Sequence, residues 1–253
     1  MIARTLSLFP LHGIPDIAAG DDLAELILQA LEGAGKRLER GDVIVVAQKI
    51  VSKAEGRLVR LADVMPSPRA VELAGAAQKD PRQMELLLAE SREVLRARPG
   101  VVIVEDRRGL VLANAGIDAS NVAGEDMVLL LPEDPDASAA RLRDALHAAT
   151  GVAPAVLVTD SIGRAWRQGT IGTAIGAAGM QALMDLRGKP DMHGRPLQTT
   201  EVGHADEVAA AASLVMGQAD ERCPVVLVRG LAATEGDGKA SDLLRPKSLD
   251  MFR

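Results

Sequence analysis

Two aspartates stand where an apolar run gives way to polar residues. Asp118 lies in NAGIDASN (114–121), just after GLVLA (109–113), beside Asn114, Ser120 and Asn121. Asp160 directly follows AVLVT (155–159) and sits between Thr159 and Ser161. Carboxylates among amide and hydroxyl oxygens at strand ends suit magnesium or manganese, which take one or two carboxylates and fill their remaining positions with water and phosphate oxygens. The same residue types also suit turn aspartates satisfied by local backbone N–H groups, so on their own they leave both readings open. Arg164 and Arg167 follow Asp160 within seven residues, and the guanidinium fork binds a phosphate or a carboxylate through two parallel hydrogen bonds. Lys49 and Lys53, arriving after the run DVIVVA (42–47), add point charges suited to phosphates. Acids that hold metal beside bases that hold phosphate point to a metal-dependent nucleotide or phosphate enzyme.

Composition narrows the setting for this chemistry. At 253 residues the chain is long enough for a sizeable core without staples, as one large domain or two lobes. Hydrophobic residues make up 47% and charged residues 25%, which excludes disordered and collagen-like classes. The net charge of −6, the absence of Tyr and the presence of only two Phe and one Trp argue against a nucleic-acid surface, which needs basic patches and stacking rings. No apolar run reaches the roughly 18 to 20 residues of a membrane span, and the proline-broken start MIARTLSLFPLHGIPD does not read as a signal peptide, so the cytoplasm is expected. Cys223 is the only cysteine; it reads as a buried thiol, and a zinc site of the usual kind is not expected.

The elements that must position these residues are mixed. GDDLAELILQALEGAG (20–35) has the spacing of one apolar helical face, with Asp21 or Asp22 to cap it and Gly35 to end it. DVIVVA predicts a buried strand that delivers Lys49, Lys53 and Arg57 into a loop. Ser67–Pro68 and Asp80–Pro81 are helix starts, the second leading into MELLLAESREVLRA. VVIVE (101–105) and GLVLA read as a hairpin joined by DRRG, and MVLLL (127–131) as a buried strand. Asp136 is expected to start a helix that Gly151 stops. AVLVT is then a strand, GTAIGAAG a site of close backbone packing, ADEVAAAASLVMGQ a helix and PVVLVR a final strand. Hairpins interrupt the alternation of strands and helices, which gives α+β with substantial antiparallel sheet. The tail DGKASDLLRPKSLDMFR is polar and expected to be poorly ordered.

GIPDI with GDDLAELI, then QKIVSKAEGR, NAGIDASN, LLLPEDPDASA, TDSIGRAWRQG, the ADE helix ending in MGQ, and VVLVRG together resemble the coenzyme F-420-0:L-glutamate ligase family, over about residues 8–231 in the same order. The resemblance implies one γ-glutamyl ligase domain over residues 1–253, with 232–253 as its tail, an α+β fold and an intertwined homodimer. It implies addition of L-glutamate to coenzyme F-420-0, and of γ-linked glutamate to the product, with GTP as substrate and GDP and phosphate released. GTP contacts are implied at Ile14, Pro15, Asp16 and Ile17, at Gln48, Lys49, Lys53 and Asn121, and along Met216 to Cys223, including Gly217 and Gln218. One divalent cation, magnesium or manganese, is implied at Asp118 and Asp160 and a second at Ser161 and Gln218, with a monovalent cation such as potassium as a further candidate. Catalytic roles fall to Lys53 and, from charge and position, to Arg164 and Arg167 on the acceptor carboxylate or glutamate.

Gln218 is an amide where a carboxylate would bind metal more strongly. Gln48 and Lys49 stand where some relatives carry small hydroxyl residues, which leaves the choice among triphosphates open. The chain ends at Arg253, so the flavin-reductase-like activity fused to some bacterial members is expected to be absent. Trp166 is the one tryptophan and reads equally as a stacking partner for the deazaflavin ring or as core. A ligase of this fold acting on another carboxylate, or a non-catalytic nucleotide-binding protein, are the alternative readings. Neither nucleic acid nor membrane is an expected partner.

Overall fold

A computed structural model describes residues 5–120, 124, 126–231 and 236–251. Its largest sheet runs in the order β1 (Ser7–Leu11), β12 (Val225–Arg229), β2 (Val43–Ala47), β8 (Ala155–Arg164), β9 (Arg167–Ala178). Among the named pairings only β2 with β8 is parallel, so the mixed, mostly antiparallel α+β expectation holds. Both faces of this sheet are buried, which is why β2, β8 and β12 read as unbroken apolar runs. Ile44, Val46, Val156 and Val158 pack under helices α1 (Leu23–Gly33), α2 (Gln48–Ala54) and α5 (Pro135–Thr150). Val43, Val45, Ala155 and Leu157 face α6 (His204–Met216).

A second region is built on α3 (Pro68–Ala77), α4 (Pro81–Ala89) and a three-stranded sheet of β4 (Ser91–Arg98), β5 (Val101–Asp106) and β6 (Val111–Ala113). It has its own small core, in which Ala70, Ala74, Met84 and Leu87 meet Val102 and Val104. Strands β3 (Leu58–Arg60) and β7 (Met127–Leu129) pair beside it. Glu90 joins this region to the main body. It is nearly buried and accepts from Arg57 Nη2 at 2.8 Å and from Arg108 Nη2 at 3.1 Å, while Arg57 Nε donates to Leu131 O and Arg108 Nε to Pro132 O. Strands β10 (Leu183–Asp185) and β11 (Glu201–Gly203) form the base of a ribbon that extends from the body.

Four expectations are corrected. QKIVSKA is the helix α2 and not a loop, and it forms without a capping side chain, because burial of Gln48, Ile50, Val51 and Ser52 against the body fixes it. SREVLRAR is the strand β4 and not the end of a helix; pairing with β5 outweighs its local preference. Helix α5 is capped by Asp134, whose carboxylate accepts from Ala137 N, and Asp136 turns instead toward other backbone donors. Residues 237–251 of the tail are also held against the body rather than poorly ordered: Lys247 binds Glu93 and Glu105, and Ala240 is buried.

GTAIGAAG runs along the end of β9 and one residue beyond it, and close packing is the reason for Gly172 and Gly176. A Cβ on Gly172 would fall 2.6 Å from Ala209 O on α6, and one on Gly176 would collide with the Pro135 backbone at the start of α5. At the outer edge of β9, Ala174 N–H donates to Asp206 Oδ1 at 2.9 Å and Ala177 N–H to Asp136 Oδ1 at 2.8 Å. The opposite edge strand, β1, carries Pro10, which has no N–H.

Candidate active site

Because β2 and β8 run parallel, with Ala47 opposite Thr159, their C-terminal ends open at the same place. A cleft of about 1070 Å³ lies there, between the main sheet and the 112–120 segment of the second region. In open α/β sheets this is where ligands bind. Ile14, Pro15, Asp16 and Ile17 line it, together with Gln48, Lys49, Lys53, Asp118, Asp160, Ser161, Met216, Gly217 and Gln218. Lys49 and Lys53 are one turn apart on α2, so the helix presents both on one face; as a loop they would have had no fixed relation.

Asp118 is brought in by a tight fold of the chain. Asn114, Ala115 and Gly116 are all left-handed, with φ of 53°, 54° and 68°. Gly116 also packs against Leu131, where a Cβ would come within 2.6 Å. The backbone of Asp118 then pairs with Leu129 through two hydrogen bonds, of 3.0 and 2.8 Å. Its carboxylate lies 2.5 Å from Lys49 Nζ and accepts from Ser120 N–H at 2.6 Å, while Lys49 also donates to Ser120 Oγ at 2.6 Å. Burial alone would raise the Asp118 pKa; the Lys49 ammonium and the Ser120 donors outweigh it and hold the carboxyl below the usual range.

Asp160 lies on β8 opposite Thr173 and accepts from Ser161 N–H at 2.8 Å. Here burial dominates: the Ser161 N–H opposes it, the nearby Asp118 charge adds to it, and the pKa is raised. Ser161 Oγ donates to Gln218 Oε1 at 2.6 Å, joining β8 to the segment after α6. Among the described residues no three His, Cys, Asp or Glu side chains gather into a metal cage. Two carboxylates that feel each other's charge, plus hydroxyl and amide oxygens, nevertheless form a donor set suited to a hard cation that completes its shell with solvent or phosphate oxygens.

Arg164 and Arg167 are opposite each other near the end of the β8–β9 hairpin, exposed and outside the cleft lining. Trp166, between them, is 78% exposed with φ of 58°, so it is not core. Arg57 is also away from the cleft, paired with Glu90 and Glu133. Asn121 lies outside the described residues. Cys223 lines the cleft, but its thiol is buried, and that burial pushes its pKa up. The cleft also includes Thr170 of β9 and Ser213 of α6, neither of which stood out in the sequence. Thr170 and Ser213 reach it only because β9 packs against α6, a contact that no local pattern announces.

The family model for F420-0:Gamma-glutamyl ligase matches residues 13–230. The chain is 47% identical over 250 residues to the Coenzyme F420:L-glutamate ligase of Methanothermobacter thermautotrophicus, covering 98% of this chain and 99% of that protein. It is 46% identical to the Coenzyme F420:L-glutamate ligase of Methanopyrus kandleri, covering 98% of each, and 42% identical to that of Methanocaldococcus jannaschii, covering 92% and 90%. With nearly the whole chain matched, it belongs to the F420-0:gamma-glutamyl ligase family and is an enzyme of the ligase class.

Proposed function

We propose that the chain adds L-glutamate to coenzyme F420-0, and γ-linked glutamate to the product, at the expense of GTP. The observation that carries this reading is the convergence on one cleft of Lys49, Lys53, Asp118, Asp160, Ser161 and Gln218, delivered by separate elements. The names of the relatives supply the substrate; the cleft supplies chemistry that fits it.

A carboxylate is a poor electrophile and needs activation before an amine can attack it. An acceptor carboxylate oxygen attacks the γ-phosphorus of GTP, and the bond to the β-phosphate oxygen breaks with its electron pair leaving on GDP. The amine of glutamate then attacks the carbonyl carbon of the acyl phosphate, phosphate departs, and the amine proton passes to solvent. Lys53 and Lys49 place positive charge against the phosphates, and Ile14 to Ile17, Gln48 and Met216 to Gln218 hold the nucleotide. Asp118 and Asp160 would hold one magnesium or manganese ion and Ser161 with Gln218 a second, supplying charge neutralisation for phosphoryl transfer.

Arg164 and Arg167 are assigned to the acceptor carboxylate or glutamate, with Trp166 offering a ring face to the deazaflavin. None of residues 161–171 or 183–203 is fully buried, and two-stranded ribbons of this kind are marginal alone. A second copy covering them, in an intertwined homodimer, accounts for both. The deciding experiment is mass spectrometry after incubation with GTP, manganese, glutamate and the glutamate-free coenzyme. The expected product is heavier by one or more glutamate residues, with GDP formed in step; unmodified coenzyme and intact GTP would overturn the reading.

A further inference from the structure

A second cavity, of about 640 Å³, lies where the two regions and the C-terminal segment meet, and it shares no lining residue with the cleft. Its size is within the range of about 300–1,000 Å³ usual for small-molecule sites, which favour such junctions. Arg107 and Arg108 enter it from the turn between β5 and β6, Arg143 from α5, Ile175 from β9 and Lys239 from the C-terminal segment. Asp136 pins that segment to the sheet, since its Oδ1 accepts from both Ala177 N–H and Ala240 N–H at 2.8 Å. Lys247 ties the same segment to Glu93 and Glu105 of the second region. The segment therefore straps the cavity from one region to the other. Most charges around the cavity are already paired: Arg108 with Asp106 and Glu90, Glu133 with Arg57, and Asp134 with Ala137 N–H. Arg107 and Lys239 have no ion-pair partner among the described residues. Arg143 has one, Asp144, 3.7 Å from Nη1, and its Nε is buried with no acceptor among those residues. Asp144 and Asp237, the acids left over, are both exposed to water.

We propose that this cavity is a second ligand site, for a small organic anion whose phosphate or carboxylate is held by Arg143, with Arg107 and Lys239 adding positive charge. Asp144 lies on the Nη1 side of the guanidinium, which leaves the Nε–Nη2 edge, the edge that grips two oxygens of one anion through parallel hydrogen bonds. The buried Nε–H without an acceptor is a cost that such an anion removes. Gly179, with φ of 78°, has no Cβ, and one would collide with Nε; the space lets the guanidinium turn its free edge to the ligand. Ile175, Ala178 and Leu244 offer apolar contact to the carbon body. A ligand bound to Arg107, Arg143 and Lys239 bridges the second region, the main body and the strap. It also lies beside Arg108, whose partner Glu90 joins the two walls of the cleft, so occupancy stiffens that joint.

The site does not draw on the nucleotide reading of the cleft, and its test is run without GTP or divalent cations. Phenyl phosphate and phenylacetate are titrated separately into the full-length protein labelled with nitrogen-15. The Arg143 Nε–H resonance, identified by its loss in R143K, and the Ser241 amide resonance report on the cavity, so binding in the cleft is not mistaken for it. At least one probe is expected to move both resonances along a saturable curve, and the arm that binds tighter identifies the head group. R143K keeps the charge and loses the two-pronged edge; followed through the Ser241 amide, it is expected to bind about tenfold or more weakly, the scale of a hydrogen bond to a charged group. K239Q should weaken binding about threefold, as for an exposed charge. Wild-type resonances that neither probe moves would overturn the site, and so would R143K and K239Q that both bind as tightly as the wild type.

Discussion

The two walls of the cleft carry the same acid in opposite electrostatic states. Asp118, on the wall contributed by the second region, is held ionised by Lys49 and Ser120. Asp160, on the main-sheet wall, is pushed toward its neutral form by burial and by Asp118 itself. One carboxylate is thus satisfied within the fold and the other is held in a setting that costs stability, which is the pattern expected of a group retained for chemistry rather than for folding. The comparison separates the walls more sharply than residue type does.

The largest effect should come from removing either acid. Asp118→Asn and Asp160→Asn are each expected to reduce glutamate-dependent GTP turnover by about a hundredfold or more, the scale of a lost electrostatic contact to the transition state; steady-state GDP release checks it, and near wild-type rates in both would break the assignment of a shared cation. Next in size is the joint between the walls. Glu90→Ala leaves Arg57 with the exposed Glu133 and Arg108 with Asp106 but removes the carboxylate that links them, and is expected to lower stability by about 1–3 kcal/mol, read by urea unfolding, with cation affinity falling alongside because the walls are no longer fixed.

The smallest effect is the most diagnostic, because its sign differs between the walls. Asp160 has a raised pKa in the folded state, so its contribution favours folding at low pH and is lost as pH rises through that value. Asp160→Asn should therefore raise Tm at neutral pH, by about 2–4 °C if about 1 kcal/mol is recovered. Asp118 has a lowered pKa, so its stabilisation is present above the unfolded value and lost as pH falls through the folded one. Asp118→Asn should lower Tm at neutral pH by a similar or smaller amount, as for a half-exposed ion pair. Thermal scans at pH 7 in the absence of divalent cations give both; shifts of the same sign would remove the contrast.

The main-sheet wall was the more legible in sequence. Its strands are unbroken apolar runs, and Asp160 follows one of them directly, so the run itself marks where the acid emerges. Helix α1 was equally plain, with Asp22 as its cap. The rest depends on contacts between distant segments. QKIVSKA, on the main body, carries no capping side chain and reads as a loop, and only burial of one side makes it the helix that aligns Lys49 with Lys53. SREVLRAR has helical composition and becomes a strand because β5 is there to pair with it. Asp134 before Pro135 was the stronger capping signal, and reading Asp136 in its place missed the role that Asp136 does have. NAGIDASN identified the right acid, but the three left-handed residues that aim it became visible only with the fold.

That role of Asp136, shared with Asp206, bears on solubility. An outermost strand with bare N–H groups is a template on which another chain can add a strand, and repeated addition leads to open-ended aggregation. Here two carboxylates have already taken donors along the β9 margin, and Pro10 leaves a gap in the β1 margin. Growth of the central sheet is blunted at both ends, so strand-by-strand addition of further chains is disfavoured.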